Sequence, residues 1–227
     1  MKRAFLVFLL LAFPAALLLL NKTLRAQSAD HAPAMASITF DRTWDDITPQ
    51  KITLTIWAGG QGKYVSHSAA KPPDEADDYK TEFTMSPACK DKLFRDAAEA
   101  HYFDGDFTFK KHVVASTGSK TLTYTDSARH FNTTFDYSEN KAIQEITSIL
   151  QGISNTIEYG RKLQFKHRFD KLGLEDELKG MESAVESHNL AELQLIAPQL
   201  ESIVQDESVL NIARKRAKKL LTKTLCE

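Results

Sequence analysis

Apolar residues recur at every second position through much of the first 137 residues. Ile38 and Phe40 alternate with Thr39 and Asp41, and Ile52, Leu54 and Ile56 with Thr53 and Thr55. Leu122 and Tyr124 stand between threonines, and Phe131, Thr133, Phe135 and Tyr137 share one face. A period of two is the signature of a half-buried strand, so strands are predicted at Ser37–Thr43, Lys51–Trp57, Lys120–Thr125 and His130–Tyr137. Asp126-Ser127-Ala128-Arg129 supplies the turn of the last pair. Ala58-Gly59-Gly60-Gln61-Gly62 ends the second strand, and Lys63–Ser68 reads as the return arm of a hairpin. Ala69–Asp78, with Pro72-Pro73, is a predicted loop. Tyr79–Met85 is a further strand with Phe83 and Met85 on one side, and Lys110–Ala115 is another.

The period changes to that of a helix in two places. Ser86-Pro87 is a helix start, since serine caps free amides and proline suits the first turn. The stripe Cys89, Leu93, Phe94, Ala97, Ala98, His101 carries that helix to about Tyr102. From Asn140, Ile143, Ile146, Ile149, Leu150, Ile153 and Ile157 recur near 3.6, and the helix is expected to continue through Leu163–Leu172 until Gly173. After Gly160 strand patterns vanish. Leu174, Leu178, Met181 and Val185 make one short helix. Leu190 to Val204 make another, bent at Pro198, and Val209 to Leu221 a last one capped by Asp206. The predicted fold class is α+β: an antiparallel sheet packed by two helices, followed by a small all-α C-terminal bundle or tail. The expected divisions are a signal peptide at 1–28, a linker at 29–37, an α+β domain at 38–160 and a helical region at 161–227.

The start of the chain alters where this fold is expected to work. Met1-Lys2-Arg3 is basic, Ala4–Leu20 is apolar apart from Pro14, and Ala26-Gln27-Ser28 fits a small-x-small cleavage site. That predicts export to the bacterial periplasm or exterior, with membrane anchoring if the leader is retained. The leader holds four basic residues and no acid, leaving 25 basic and 30 acidic side chains beyond it, net −5. Such a body has no general attraction for nucleic acid or anionic lipid, so membrane contact is expected only through an uncleaved leader. Cys89 and Cys226 are the two cysteines of the chain. In an oxidising compartment they either pair or remain apart with Cys89 buried as a small hydrophobe.

Catalytic signatures are scarce. Gly59-Gly60-Gln61-Gly62-Lys63 lacks the spacing and the Ser/Thr of a phosphate loop and reads as a hairpin turn. The seven histidines show no helix-face ligand spacing. His101 with Glu99, Asp104 and Asp106 reads as a helix end and a polar loop, not as a metal centre. There is no Gly-x-Ser-x-Gly elbow, and Cys89 has no motif partner. No catalytic residue, cofactor or metal is therefore assigned. Two candidate contact surfaces stand out. One is the hairpin tip with Trp57, Gly59, Gly60, Gln61, Lys63 and Tyr64, where the aromatic residues serve as anchors. The other is a basic last helix carrying Arg214, Lys215, Arg216, Lys218 and Lys219.

A strand running into Gly59-Gly60 is followed by Phe83-Thr84-Met85-Ser86 leading into a helix with Leu93 and Ala97. Then come Tyr102-Phe103, a hairpin with Tyr124 and a closing helix. Over residues 52–159 this pattern resembles the emfourin-type domains that inhibit metalloproteases. The resemblance implies a secreted bacterial inhibitor, with the leader and the helical extension as departures and no inhibitory residue matched. The expected function is a non-enzymatic exported protein that binds another protein or an envelope component. The alternatives are a hydrolase built from dispersed carboxylates or histidines, and a structural envelope protein.

Overall fold

A computed structural model describes residues 36–69, 77–112 and 115–223. Six strands, β1 (Ser37–Thr43), β2 (Lys51–Trp57), β3 (Gln61–Ser68), β4 (Asp77–Thr84), β5 (Ser119–Thr125) and β6 (His130–Phe135), form one antiparallel sheet in the order β4-β3-β2-β1-β5-β6. The first strand is thus central, pairing with β2 on one side and β5 on the other. Its register sets Ile38 opposite Ile56 and Tyr124, Phe40 opposite Leu54 and Leu122, and Arg42 opposite Ile52 and Lys120. Because side chains alternate, all of these share the inner face. The outer face carries threonines in register, two pairs of which hydrogen-bond across strands: Thr39 with Thr55 at 3.1 Å and Thr121 with Thr134 at 2.8 Å.

Two helices cover the inner face. In α1 (Pro87–Glu99), Ser86 accepts from the Cys89 amide at 3.3 Å and proline fills the first turn. The helix gives way to a left-handed turn in which His101, Tyr102 and Phe103 have φ of 51°, 57° and 72° and Phe103 is fully buried. In α2 (Lys141–Phe169), Asn140 caps the Ile143 amide at 3.1 Å. Ile143, Ile146, Leu150 and Ile153 from α2 meet Leu93 and Ala97 from α1 and the apolar row of the sheet in a first core. Further along α2, Leu163 enters a second core with Leu174, Leu178, Leu200, Ile203 and Ala213. That core is closed by α3 (Leu174–Glu186), α4 (Ala197–Gln205) and α5 (Asn211–Leu220). Because α2 runs through Gly160 without a break, one rod serves both cores, and the described residues belong to one compact unit.

Small residues on α2 let the chain from Leu190 to Ile196 cross it closely. A Cβ on Gly152 would stand 3.0 Å from that of Ala191, and one on Gly160 2.4 Å from Ile196 Cγ2. Thr156 Oγ1 donates to the Ala191 carbonyl at 2.7 Å. At the crossing, Glu192 is fully buried with φ 57°, and its carboxylate accepts from the Ser86 amide at 2.7 Å and the Ser86 hydroxyl at 2.5 Å. The helical layer therefore caps α1.

Several local expectations are corrected. Lys110–Lys111-His112 and Ala115 are not strand, and β6 stops at Phe135, leaving Tyr137 exposed. β4 begins at Asp77, inside the expected loop. α1 stops at Glu99 and α2 at Phe169, each giving way to a tighter turn. Leu190–Glu192 is not helix and Glu192 is left-handed, with a 3-10 turn at Leu193–Ile196. Pro198 lies in the first turn of α4, where no amide donor is needed, so it starts the helix and does not bend it. Asp206 ends α4 and does not cap α5, whose N-cap is Leu210. The expected leader and Cys226 lie outside the described residues.

Candidate functional site

The hairpin tip is only partly the surface that was expected. Trp57 is 37 % exposed, and Gln61, Lys63 and Gly59 are exposed. Gly60, with φ 90°, is buried, and its carbonyl accepts from the Met85 amide at 2.8 Å, tying the tip to the end of β4. Tyr64 is fully buried and is no contact anchor. The cause is register: it lies on the inner face opposite Leu54. The basic run also divides. Arg216 ion-pairs Glu175 and Glu182 of α3, Lys219 reaches Glu182 at 3.2 Å, and Arg214 donates to the Val204 carbonyl at 3.0 Å. Lys215 and Lys218 are exposed. Three of the five cations are thus spent on holding α5 to α3 and α4. Cys89 is fully buried in the first core.

The denser chemistry lies at one end of the sheet, under α2. Ser66 of β3, Ile52 of β2, Arg42 of β1, Lys120 of β5 and Phe135 of β6 form one inward row. Three of these five are polar where apolar residues would be expected. Above them Glu158 of α2 is buried. Its Oε1 accepts from the Tyr64 hydroxyl and from Ser66 Oγ, each at 2.9 Å, and its Oε2 accepts from Arg161 at 2.9 and 3.0 Å. Burial, and then the Glu158 charge, push the Tyr64 hydroxyl far above its ordinary value, so it stays a neutral donor.

The two buried cations differ. Lys120 Nζ donates among Thr117 O at 3.0 Å, Thr117 Oγ1 at 2.8 Å, Gly118 O at 3.2 Å and Asp136 O at 2.7 Å, which consumes its three protons. Arg42 is 6 % exposed and uses Nη2 on the Pro49 carbonyl at 2.9 Å, while its Nε is buried with no partner. Burial lowers both cations from their ordinary values. A cavity of about 310 Å³ opens beside Arg42, Tyr64 and Glu158. A second, of about 440 Å³, opens beside Lys120 and Trp44.

A third feature lies at the far end of α2. Phe165 and Phe169 are 62 % and 64 % exposed with ring centroids 5.1 Å apart, and Leu172 is 74 % exposed. Phe165 and Phe169, at i and i+4, form an uncovered apolar stripe on the last turns of α2, and Leu172 follows on the 3-10 turn Lys171–Gly173. Arg168 lies 4.9 Å from the Phe169 ring centroid. Leu210 and Ile212 are also exposed.

Among the described residues no group of three or more His, Cys, Asp or Glu is placed to hold a metal ion, and no helix is long and apolar enough to cross a membrane. No family model matches the chain, and no curated protein does. Arg42, Lys120, Ser66 and Glu158 escaped sequence reasoning, although strand alternation marks the first three: each continues an apolar i, i+2 series with a polar residue. The Phe165, Phe169, Leu172 spacing was equally visible.

Proposed function

We propose that this is an exported protein of the bacterial envelope or exterior that acts by binding another protein. The observation that carries this is the uncovered row Phe165, Phe169, Leu172. Large side chains this exposed, on the last turns of a helix whose opposite side anchors a core and on the turn that follows it, are suited to docking a partner. Arg168 beside it favours a partner surface that is apolar with a rim of carboxylates. Trp57 at the hairpin tip is a second contact point. Export rests on the basic and apolar composition of Met1–Leu20.

Metalloprotease inhibition is the specific form of this proposal and rests on the resemblance over residues 52–159. The positions that carry it, Leu93, Ala97, Phe103 and Tyr124, are fully buried, so they speak for a shared frame more than for a shared inhibitory surface. Stoichiometric inhibition of a secreted metalloprotease, lost in Trp57→Ala or Phe165→Ser/Phe169→Ser, supports the reading. Absence of both inhibition and any partner in periplasmic or culture extract sinks it.

One observation favours a hydrolase instead: a carboxylate, Glu158, and a tyrosine beside a cavity. Both Glu158 oxygens already accept hydrogen bonds, and no histidine lines that cavity. A carboxylate so engaged is poorly placed to take a proton from substrate. Hydrolysis of ester or glycoside substrates, abolished in Glu158→Gln, would restore that reading.

A further inference from the structure

We infer that the cavity beside Arg42 binds a small organic carboxylate. Arg42 and Lys120 are register partners on adjacent strands, so two cations are buried side by side. Lys120 is satisfied by Thr117, Gly118 and Asp136. Arg42 is not: among the described residues only Nη2 has an acceptor, and no carboxylate ion-pairs with the guanidinium.

Glu158, among the described residues the one carboxylate lining the cavity, is occupied by Tyr64, Ser66 and Arg161. The lining cations Arg42 and Lys162 therefore outnumber it. A buried guanidinium remains charged, and with Nε sealed from solvent its Nη groups are the donors left for a carboxylate. An unpaired cation of this kind is stable only when something supplies the missing acceptor. The rest of the wall describes the body of the ligand. Ile47, Pro49, Ile52 and Leu190 give it apolar surface, Thr48, Ser154, Asn155 and Asn189 give it polar groups, and about 310 Å³ is the scale of a small-molecule pocket. An inorganic anion would leave that mixed wall unused. The site rests on other residues than the Phe165–Leu172 row, so neither stands or falls with the other.

Calorimetric titration of the full chain with hexanoate and phenylacetate, against hexanamide and phenylacetamide, tests the assignment. Saturable binding of the carboxylates, weakened at least about tenfold in the amides, is expected. Arg42→Gln should weaken carboxylate binding by at least about tenfold. Ala184→Leu, which fills the cavity from α3 and leaves the guanidinium untouched, should abolish it. Where Arg42→Gln does not fold, Ala184→Leu and the amide controls decide. The inference is overturned if neither carboxylate binds, if the amides bind equally, if inorganic phosphate binds and the carboxylates do not, or if the variants bind as the parent does.

Discussion

Glu192 is the strongest single link between the helical layer and the sheet-bearing part, and its removal should show how firmly the two are joined. Its carboxylate is fully buried and accepts two hydrogen bonds from Ser86, 106 positions earlier, at the N-terminus of α1. Hydrogen bonds to a charged acceptor contribute about 1.5–3 kcal/mol each, and a carboxylate at a helix N-terminus gains about 0.3–1 kcal/mol more from the aligned amides. Ser86 is partly accessible, so water recovers some of this after truncation. Glu192→Ala should therefore cost about 2–4 kcal/mol, lowering the melting temperature by roughly 5–12 °C for a chain of this size. Glu192→Gln keeps an acceptor and loses the charge, so about half of that loss is expected. Ser86→Ala alone should cost about 1 kcal/mol as a lost cap. In a double-mutant cycle the pair should couple by about 1–3 kcal/mol. The assay is urea unfolding read twice, by the fluorescence of Trp44 and Trp57, which report opposite ends of the sheet, and by far-ultraviolet circular dichroism, which reports the helices. A loss below about 0.5 kcal/mol, or additive single variants, would refute the idea that this contact couples the layers.

Gly160→Ala places a methyl 2.4 Å from Ile196 Cγ2; despite the better helix former it should cost about 1–3 kcal/mol, and a raised melting temperature would contradict the close crossing. The Asp206 carboxyl is held well below the usual carboxylate range, first by Lys171 and then by Ser208 and His167. Its folded pKa is depressed, so its stabilisation is complete above the unfolded value near 4 and lost as pH falls through the folded value. Thermal melts should thus show Asp206→Asn less stable than the parent at neutral pH, with the gap narrowing in acid; a gap independent of pH speaks against it. Cys89 and Cys226 are proposed to pair outside the cytoplasm; a linked peptide in a non-reducing digest is expected, and alkylation of both thiols without reductant rules the bridge out.

The sheet was legible because its signal is local and doubled: Ile38, Phe40, Leu54, Leu122 and Tyr124 alternate with threonines, and β1, β2 and β5 each carry at least two apolar positions on the inner face. Helix starts at Ser86-Pro87 and Asn140 were legible for the same reason, as capping is a matter of adjacent residues. What failed depends on partners distant in sequence. Tyr64 looked like a tip residue because Gly59 to Gly62 precede it, but its facing is decided by pairing with Leu54. Glu192 interrupts an apolar series that reads as helix, and only the Ser86 contact explains its left-handed backbone. Arg216 and Lys219 looked like solvent-facing charge until α3 supplied Glu175 and Glu182. Arg42 was written into the alternation of β1, yet its meaning required Lys120 and Glu158 beside it.

The proposed contact with a partner protein runs through Phe165 and Phe169 at the exposed end of α2 and Leu172 just beyond it. Photo-crosslinking in the exporting cell from a reactive residue at Leu172, with Thr123 on the outer sheet face as the control position, addresses it directly. A discrete adduct with a second protein from Leu172, absent from Thr123 and lost when Phe165 and Phe169 are changed to serine, is the predicted result. Adducts of equal pattern from both positions, or none from Leu172, would contradict it.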